Sequence, residues 1–157
     1  MTTITASATA AIRPATPDDL RGVEALLVAS GLPTAGVAEA LGSFLVATHA
    51  GAIVGVVGIE QCCGYGLLRS TAVDASWRSR GLGRQLVERA IAGAESAGLQ
   101  ALYLLTTTAE RYFPSFGFAV TTREEVPDVV RDTVEFRSAC PASAVVMVRP
   151  CGAAAGC

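Results

Sequence analysis

Hydrophobic positions recur along this chain with two periods, and the switches between them divide it into elements. Leu20, Val23, Leu26 and Leu27 follow helical spacing, which predicts a helix running to about Ser30 and ending at Gly31. Ahead of it, Thr16-Pro-Asp-Asp supplies an N-cap, a proline at the first helical position and acids in the first turn. Residues 11–16 suit an edge strand, where Pro14 is tolerated. Residues 43–48 and 53–62 read as strands joined by His49-Ala-Gly-Ala, a hairpin signature that places His49 in an exposed turn. Residues 32–42 read as a loop with one helical turn around 37–41, either a connector or a lid over a substrate.

In the second half, Cys63-Gly-Tyr-Gly turns the chain into a strand over 67–73. Leu82, Leu86, Val87, Ala90, Ile91 and Ala94 form an apolar stripe, so a long helix spans about 81–98. Residues 101–105 are apolar on both faces and predict a central strand. Thr106-Thr-Thr-Ala-Glu-Arg-Tyr-Phe is a polar cap leading into a short helix, and Phe116-Gly-Phe opens another strand. A helix introduced by Pro127 is predicted over 124–136, and a last strand over 142–149. The resulting class is α/β: one mixed sheet with helices on both faces. Residues 1–10 read as a disordered leader, 11–150 as a single domain and 151–157 as a flexible tail, with no internal repeat.

Composition narrows the possibilities. At 157 residues, 51% hydrophobic and 17% charged, the chain fits one compact domain rather than a disordered one. No apolar run reaches the roughly 18 residues a membrane-spanning helix needs. The N-terminus lacks the basic head and apolar stretch of a signal peptide, so a cytoplasmic location is the default. A net charge of −2 argues against a general nucleic-acid binder. There is no lysine, which excludes a lysine nucleophile or Schiff base from this chain. The five cysteines show no C-x-x-C spacing and His49 stands alone, so no metal site is expected. The thiols read as reduced, in packing or tail roles. Metalloid capture or a regulatory disulfide among Cys140, Cys151 and Cys157 is the alternative.

The strand over 67–73 runs through a polar turn into the long helix. At that junction lie Arg78, Ser79, Arg80, Gly81, Leu82, Gly83 and Arg84. A helix N-terminus presents unpaired N–H groups and a partial positive charge, and glycine lets backbone approach phosphate oxygens closely. Strand, glycine-arginine turn and helix in that order read as a phosphate seat.

Arg78-Ser-Arg-Gly-Leu-Gly resembles the Arg/Gln-x-x-Gly-x-Gly/Ala motif of the GCN5-related N-acetyltransferases (GNAT). Thr71-Ala-Val stands before it at the family's spacing, and Ala109 with Phe116-Gly-Phe118 is similar to a second family motif about 25 residues on. The resemblance covers nearly the whole chain. It implies a mostly antiparallel twisted sheet of about six to seven strands, with a splayed central pair that binds acetyl-CoA as co-substrate. It further implies that Thr71, Ala72 and Val73 offer backbone groups to the pantetheine arm and thioester, with the Val73 N–H as donor to the oxyanion. The turn from Arg78 to Arg84 would hold the pyrophosphate, and Thr106 and Phe113 would border the cofactor. Leu67-Leu-Arg-Ser, Leu104-Leu-Thr-Thr-Thr-Ala-Glu and Cys140-Pro-Ala-Ser-Ala are similar to the arsenic-resistance N-acetyltransferase subgroup. That likeness implies acetylation of arsinothricin- or phosphinothricin-like amino acids.

The chemistry requires a neutral amine and a route for the departing thiol. Phe113 stands where many members carry a tyrosine acid. Tyr112 lies one helical position away and is expected to point elsewhere, leaving Tyr65, Tyr112 and Ser115 as substitutes. A family glutamate is missing at Leu67, and Glu60 on the neighbouring strand is the candidate base, with a solvent-facing carboxylate as its alternative. Alternation places Leu67, Arg69, Thr71 and Val73 on one face. Arg69 there either pairs with Glu60 or clamps an anionic substrate. The expected reaction is direct acetyl transfer to the primary amine of a small anionic, amino-acid-like metabolite or toxin. The alternatives are acetylation of a protein or peptide N-terminus and a catalytically silent CoA-binding module. A homodimer is compatible with the sequence.

Overall fold

The computed structural model describes residues 9–139 and 143–151, so the predicted leader before Thr9 and the tail after Cys151 lie outside the described residues. All seven strands that the periodicity predicts are present. They are β1 (Ala11–Pro14), β2 (Phe44–His49), β3 (Ala52–Cys62), β4 (Tyr65–Val73), β5 (Ala101–Thr106), β6 (Ala119–Thr121) and β7 (Val145–Pro150). They form one sheet in the order β1-β2-β3-β4-β5-β7-β6. Every neighbouring pair is antiparallel except β4 and β5, which run parallel.

Two helices cover opposite faces. The apolar stripe of α1 (Leu20–Ala29) brings Val23, Leu26 and Leu27 against Phe44, Val46, Val56 and Ala72. On the other face, α3 (Leu82–Ser96) packs Leu86, Val87, Ala90 and Ile91 on Val54, Val57, Ile59 and Leu68. Each fully buried leucine or valine of this kind contributes about 1.5–3 kcal/mol. Between β1 and β2 the chain also forms α2 (Val37–Ala40). Among the described residues no helix is long and apolar enough to cross a membrane.

Both hairpins use two-residue turns with positive φ, which match the twist of the flanking strands. Ala50 (φ 51°) and Gly51 (φ 79°) join β2 to β3, so His49 ends β2, paired with Ala52, rather than sitting in the turn. It is exposed, as expected, with its ring 5.1 Å from that of Trp77. Cys63 (φ 47°) and Gly64 (φ 85°) make the second turn, so β4 starts at Tyr65 rather than at Leu67.

The strict alternation expected along β4 does not hold. Val56 faces Ala72 and Gly58 faces Arg69, so two steps on β3 match three on β4. The extra residue is a bulge at Ser70, whose φ is 57°. A bulge shifts the side-chain parity of everything after it. Leu68 and Val73 consequently pack on the α3 side, whereas Leu67 and Ala72 pack on the other. Leu67 and Arg69 therefore do not share a face with Thr71 and Val73.

The helix predicted over 124–136 is broken into pieces. Pro127 is extended (φ −59°, ψ 147°) and separates a short turn at Arg123–Glu125 from the four-residue helix α4 (Asp128–Arg131). β-Branched Val129, Val130, Thr133 and Val134 favour helix poorly. Thr133 Oγ1 donates to Val130 O (2.8 Å) and accepts from Phe136 N–H (3.3 Å), diverting the helical ladder. A π-helical turn, Glu135–Ala139, follows. Phe116-Gly-Phe is also not a strand start: it closes a 3-10 turn at Gly117 (φ 89°), and β6 begins at Ala119.

Candidate active site

The site forms where β4 and β5 part. The two strands pair only at Tyr65 with Ala101, Gly66 with Leu102 and Leu67 with Tyr103. Beyond that point a cavity of about 530 Å³ opens. Leu68, Arg69 and Thr71 line one wall, and Leu104, Thr106 and Tyr112 line the other. The N–H of Asp74 donates to Val54 O at 2.8 Å and so points toward β3. Because backbone groups alternate sides along a strand, those of Thr71 and Val73 face the gap left by β5.

At the end of this gap the chain enters α3. Arg78 is extended, Ser79 (φ 66°) and Gly81 (φ 80°) are left-handed, and the fifteen-residue helix begins at Leu82. Arg78 Nε donates to Val73 O at 3.2 Å. The Arg80 guanidinium lies 5.0 Å from the Trp77 ring centroid, and that of Arg84 4.6 Å from that of Phe116. Arg84 also donates to Ser115 Oγ at 3.2 Å. All three arginines are exposed, so positive charge surrounds a helix N-terminus open to solvent. A Cβ on Gly83 would stand 3.6 Å from Val73 Cγ2 and 3.7 Å from Tyr112 Oη. The first turn of α3, the end of β4 and Tyr112 therefore meet at one place.

The aromatic segment corrects one expectation. Residues 109–112 form a turn leading to the 3-10 helix Phe113–Phe116, so the 100° step of an α-helix does not carry Tyr112 away from the site. Tyr112 and Phe113 both line the cavity, Phe113 mainly from within the core beside Phe116 and Phe118. Burial raises the Tyr112 phenol above its ordinary range, with Arg84 opposing and Glu88 reinforcing the shift. Thr106 Oγ1 accepts from Ala109 N–H at 2.9 Å and shapes the wall above β5.

At the opposite end lies Arg69, whose side chain has no exposed surface. Its Nε donates to Ser70 Oγ (3.0 Å), Nη1 to Glu60 Oε1 (3.2 Å) and Nη2 to Ala35 O (2.6 Å). Glu135 Oε1 lies 3.7 Å from the same Nε. Of the two alternatives left by the sequence, this geometry is that of the Glu60 ion pair. Glu60 opens on a different cavity of about 460 Å³, beside Glu39, Ser43 and Gln61. Glu135, by contrast, lines the main cavity. Its ionisation is moved up to about 7 by burial, opposed by Arg69 and reinforced by Glu60. Sequence reasoning missed it, because its segment reads as part of a continuous helix that does not form.

The cysteines need one correction. Cys62 and Cys151 are free, but Cys63 is disulfide-bonded, so the thiols are not all reduced. Burial, then Glu60, pushes the Cys62 thiol up to about 11, away from nucleophilic use. Cys140 and Cys157 lie outside the described residues. No group of three or more metal-ligating side chains occurs among the described residues.

A parallel strand pair that parts beside a glycine-opened helix, leaving backbone groups along the gap, is the arrangement that the resemblance to the acetyltransferase family implies. Residues 40–120, half of the chain, match the family model of the acetyltransferase (GNAT) domain, so the chain belongs to the GNAT family. Its fold is similar to that of N-acetylglutamate synthase from Neisseria gonorrhoeae in complex with coenzyme A and N-acetyl-glutamate. The TM-score is 0.77 and the identity 21%, over 92% of this chain but only 36% of that one. Rv2747 from Mycobacterium tuberculosis, solved with CoA and a further ligand, gives a TM-score of 0.76 at 21% identity, over 89% of this chain and 98% of the other. The E. coli GNAT-family protein YhbS in complex with CoA gives 0.68 at 22%, over 96% and 86%. At these identities the likeness is one of fold.

Proposed function

We propose that this chain transfers the acetyl group of acetyl-CoA directly to the primary amine of a small molecule bound between β4 and β5. The observation that carries the reading is the turn of the Thr71 and Val73 backbone into the gap, immediately before an open helix N-terminus ringed by Arg78, Arg80 and Arg84. These residues fit the co-substrate. The turn from Arg78 to Arg84, including Ser79, Gly81, Leu82 and Gly83, offers N–H groups and charge to a pyrophosphate. Thr71, Ala72 and Val73 offer an exposed strand edge to the amide-bearing pantetheine arm. The Val73 N–H is the donor to the thioester oxygen as it gains charge, a role in which one well-placed donor is worth about 3–4 kcal/mol. Thr106 and Phe113 border the same cleft.

A cavity of about 530 Å³ accommodates an amino-acid-sized acceptor. The anionic character expected of that acceptor rested on a clamp by Arg69. The guanidinium is engaged by Glu60, Ala35 and Ser70 instead, so the acceptor need carry no negative charge for Arg69 to be paired. The link to arsenic resistance rests on likeness of short segments alone. Thiol release on mixing the protein with acetyl-CoA and a panel of amines tests the reading. Turnover with small amino acids or amines supports it. Tight CoA binding with no turnover of any amine returns the protein to a silent binding module, and turnover of peptide N-termini alone favours the peptide reading.

A further inference from the structure

Glu135 is the one carboxylate among the described residues that lines the cavity between β4 and β5. It is buried, and the broken helical geometry before it sets its carboxylate beside Arg69. Arg69 in turn is fixed by three hydrogen bonds from different parts of the chain, at Ala35, Glu60 and Ser70. One guanidinium thus serves two carboxylates, and Glu60 holds the closer contact at 3.2 Å against 3.7 Å. The second carboxylate is left with incomplete compensation and an increased affinity for a proton.

An amine arrives at neutral pH chiefly as an ammonium and must lose a proton before its lone pair can attack. The other polar side chains on the cavity wall cannot take that proton. They are hydroxyls such as Thr106, the Arg69 cation, and a tyrosine whose phenol is held in its protonated form. Resting on the acetyl-transfer reading of the same cleft, we propose that Glu135 is the general base of the reaction and that Arg69 is its positioning residue. One N–H bond of the ammonium breaks and its proton passes to a Glu135 oxygen. The lone pair forms the N–C bond while the C–S bond breaks with its electrons on sulfur. The second proton of the nascent amide nitrogen goes to the thiolate, which leaves as the thiol, and Glu135 returns its proton to water.

The charged groups that act on Glu135 are Arg69 from β4 and Glu60 from β3, and Tyr112 is the other titratable side chain on the wall of the same cavity. Burial raises its titration to about 7, opposed by Arg69 and reinforced by Glu60, so that a base is both available and strong enough at neutral pH. The test uses the full chain, acetyl-CoA and two probe amines. Benzylamine is an ammonium at neutral pH, and O-methylhydroxylamine is already uncharged. Glu135→Gln is expected to lower kcat/KM for benzylamine by about a hundredfold at pH 7 and to abolish the inflection near neutrality in its pH profile. Its rate with O-methylhydroxylamine stays within about threefold, and acetyl-CoA binding is retained. Equal losses with both probes, or no loss with either, overturn the proposal. If the parent binds acetyl-CoA but acetylates neither amine, the transferase reading fails for such acceptors. The carboxyl carbon of Glu135, followed by NMR in protein labelled with ¹³C-glutamate and assigned through Glu135→Asp, then decides the base separately. Titration near neutrality supports it, and titration in the ordinary carboxylate range overturns it.

Discussion

β4 is two different strands on either side of Ser70. Up to Arg69 it pairs with β3 and, over Tyr65 to Leu67, with β5, so its function lies in what its side chains meet. It has lost β5 after Leu67, and from Thr71 to Val73, where it still pairs with β3, its other edge presents backbone to a cavity. The end proposed for the co-substrate therefore offers main-chain groups and a helix terminus. The end proposed for the acceptor is built on the Arg69 side chain and on partners from positions as far apart as the Ala35 carbonyl and the Glu135 carboxylate. The first kind of site tolerates sequence change around it. The second depends on every member of one charged cluster.

The largest effect expected from breaking this arrangement is Arg69→Ala. It removes the only cation touching Glu60 and Glu135 among the described residues and leaves Ala35 O without that donor. Breaking a buried ion pair by deleting one partner costs about 3 kcal/mol or more. In a domain of this size that lowers the melting temperature by roughly 10 °C, as calorimetry would read it. If the variant instead melts within a degree or two of the parent and only KM for an anionic acceptor rises, Arg69 is a substrate clamp after all, and the division drawn at Ser70 is misplaced.

A middle-sized effect belongs to the co-substrate end. Gly81 has φ 80° and open space where a side chain would begin, with nothing within 4 Å of an added methyl group, so Gly81→Ala strains the backbone without a clash. Holding alanine in that conformation costs on the order of 1 kcal/mol. Relaxing the strain tilts N–H groups away from the pyrophosphate, so Kd for CoA should rise about three- to tenfold by titration calorimetry. Gly83→Ala, whose methyl meets Val73 and Tyr112 at ordinary contact distances and strains no backbone, should raise Kd less than Gly81→Ala does. Equal effects of the two would mean that backbone shape at the helix entry does not govern binding.

The same contrast explains what could be read from the chain alone. Strand count, the two covering helices and the glycine-arginine turn leave local signals: a period, a cap, a spacing. The parting of β4 from β5 after Leu67 leaves none, and neither does the bulge that follows at Ser70, a residue type with no special claim on positive φ. Alternation carried past Ser70 assigns Thr71 and Val73 to the wrong face. Glu135 was hidden for a related reason. Its segment has helical spacing on paper, and only Pro127, the run of β-branched residues and the Thr133 hydroxyl together break it. Tertiary pairing with Arg69 then gives it a place that no neighbouring residue announces.

The smallest effect concerns the hinge of the comparison itself. Ser70 does two things: its Oγ accepts from Arg69 Nε at 3.0 Å, and its backbone holds φ at 57°. Ser70→Ala loses the first and keeps the strain, at a cost of about 1–2 kcal/mol for a buried charged donor left short of a partner. Ser70→Gly loses the same bond but takes up the left-handed conformation freely, recovering about 1 kcal/mol. The glycine variant should therefore melt above the alanine variant by about 3 °C, although it has the smaller side chain and the more flexible unfolded chain. If alanine is the more stable of the two, strain at Ser70 is negligible and the bulge must be imposed by its surroundings. Phe44 is then the place to look, since its ring fills the space above Gly58, opposite Arg69, where any Cβ would come within 2.4 Å of it.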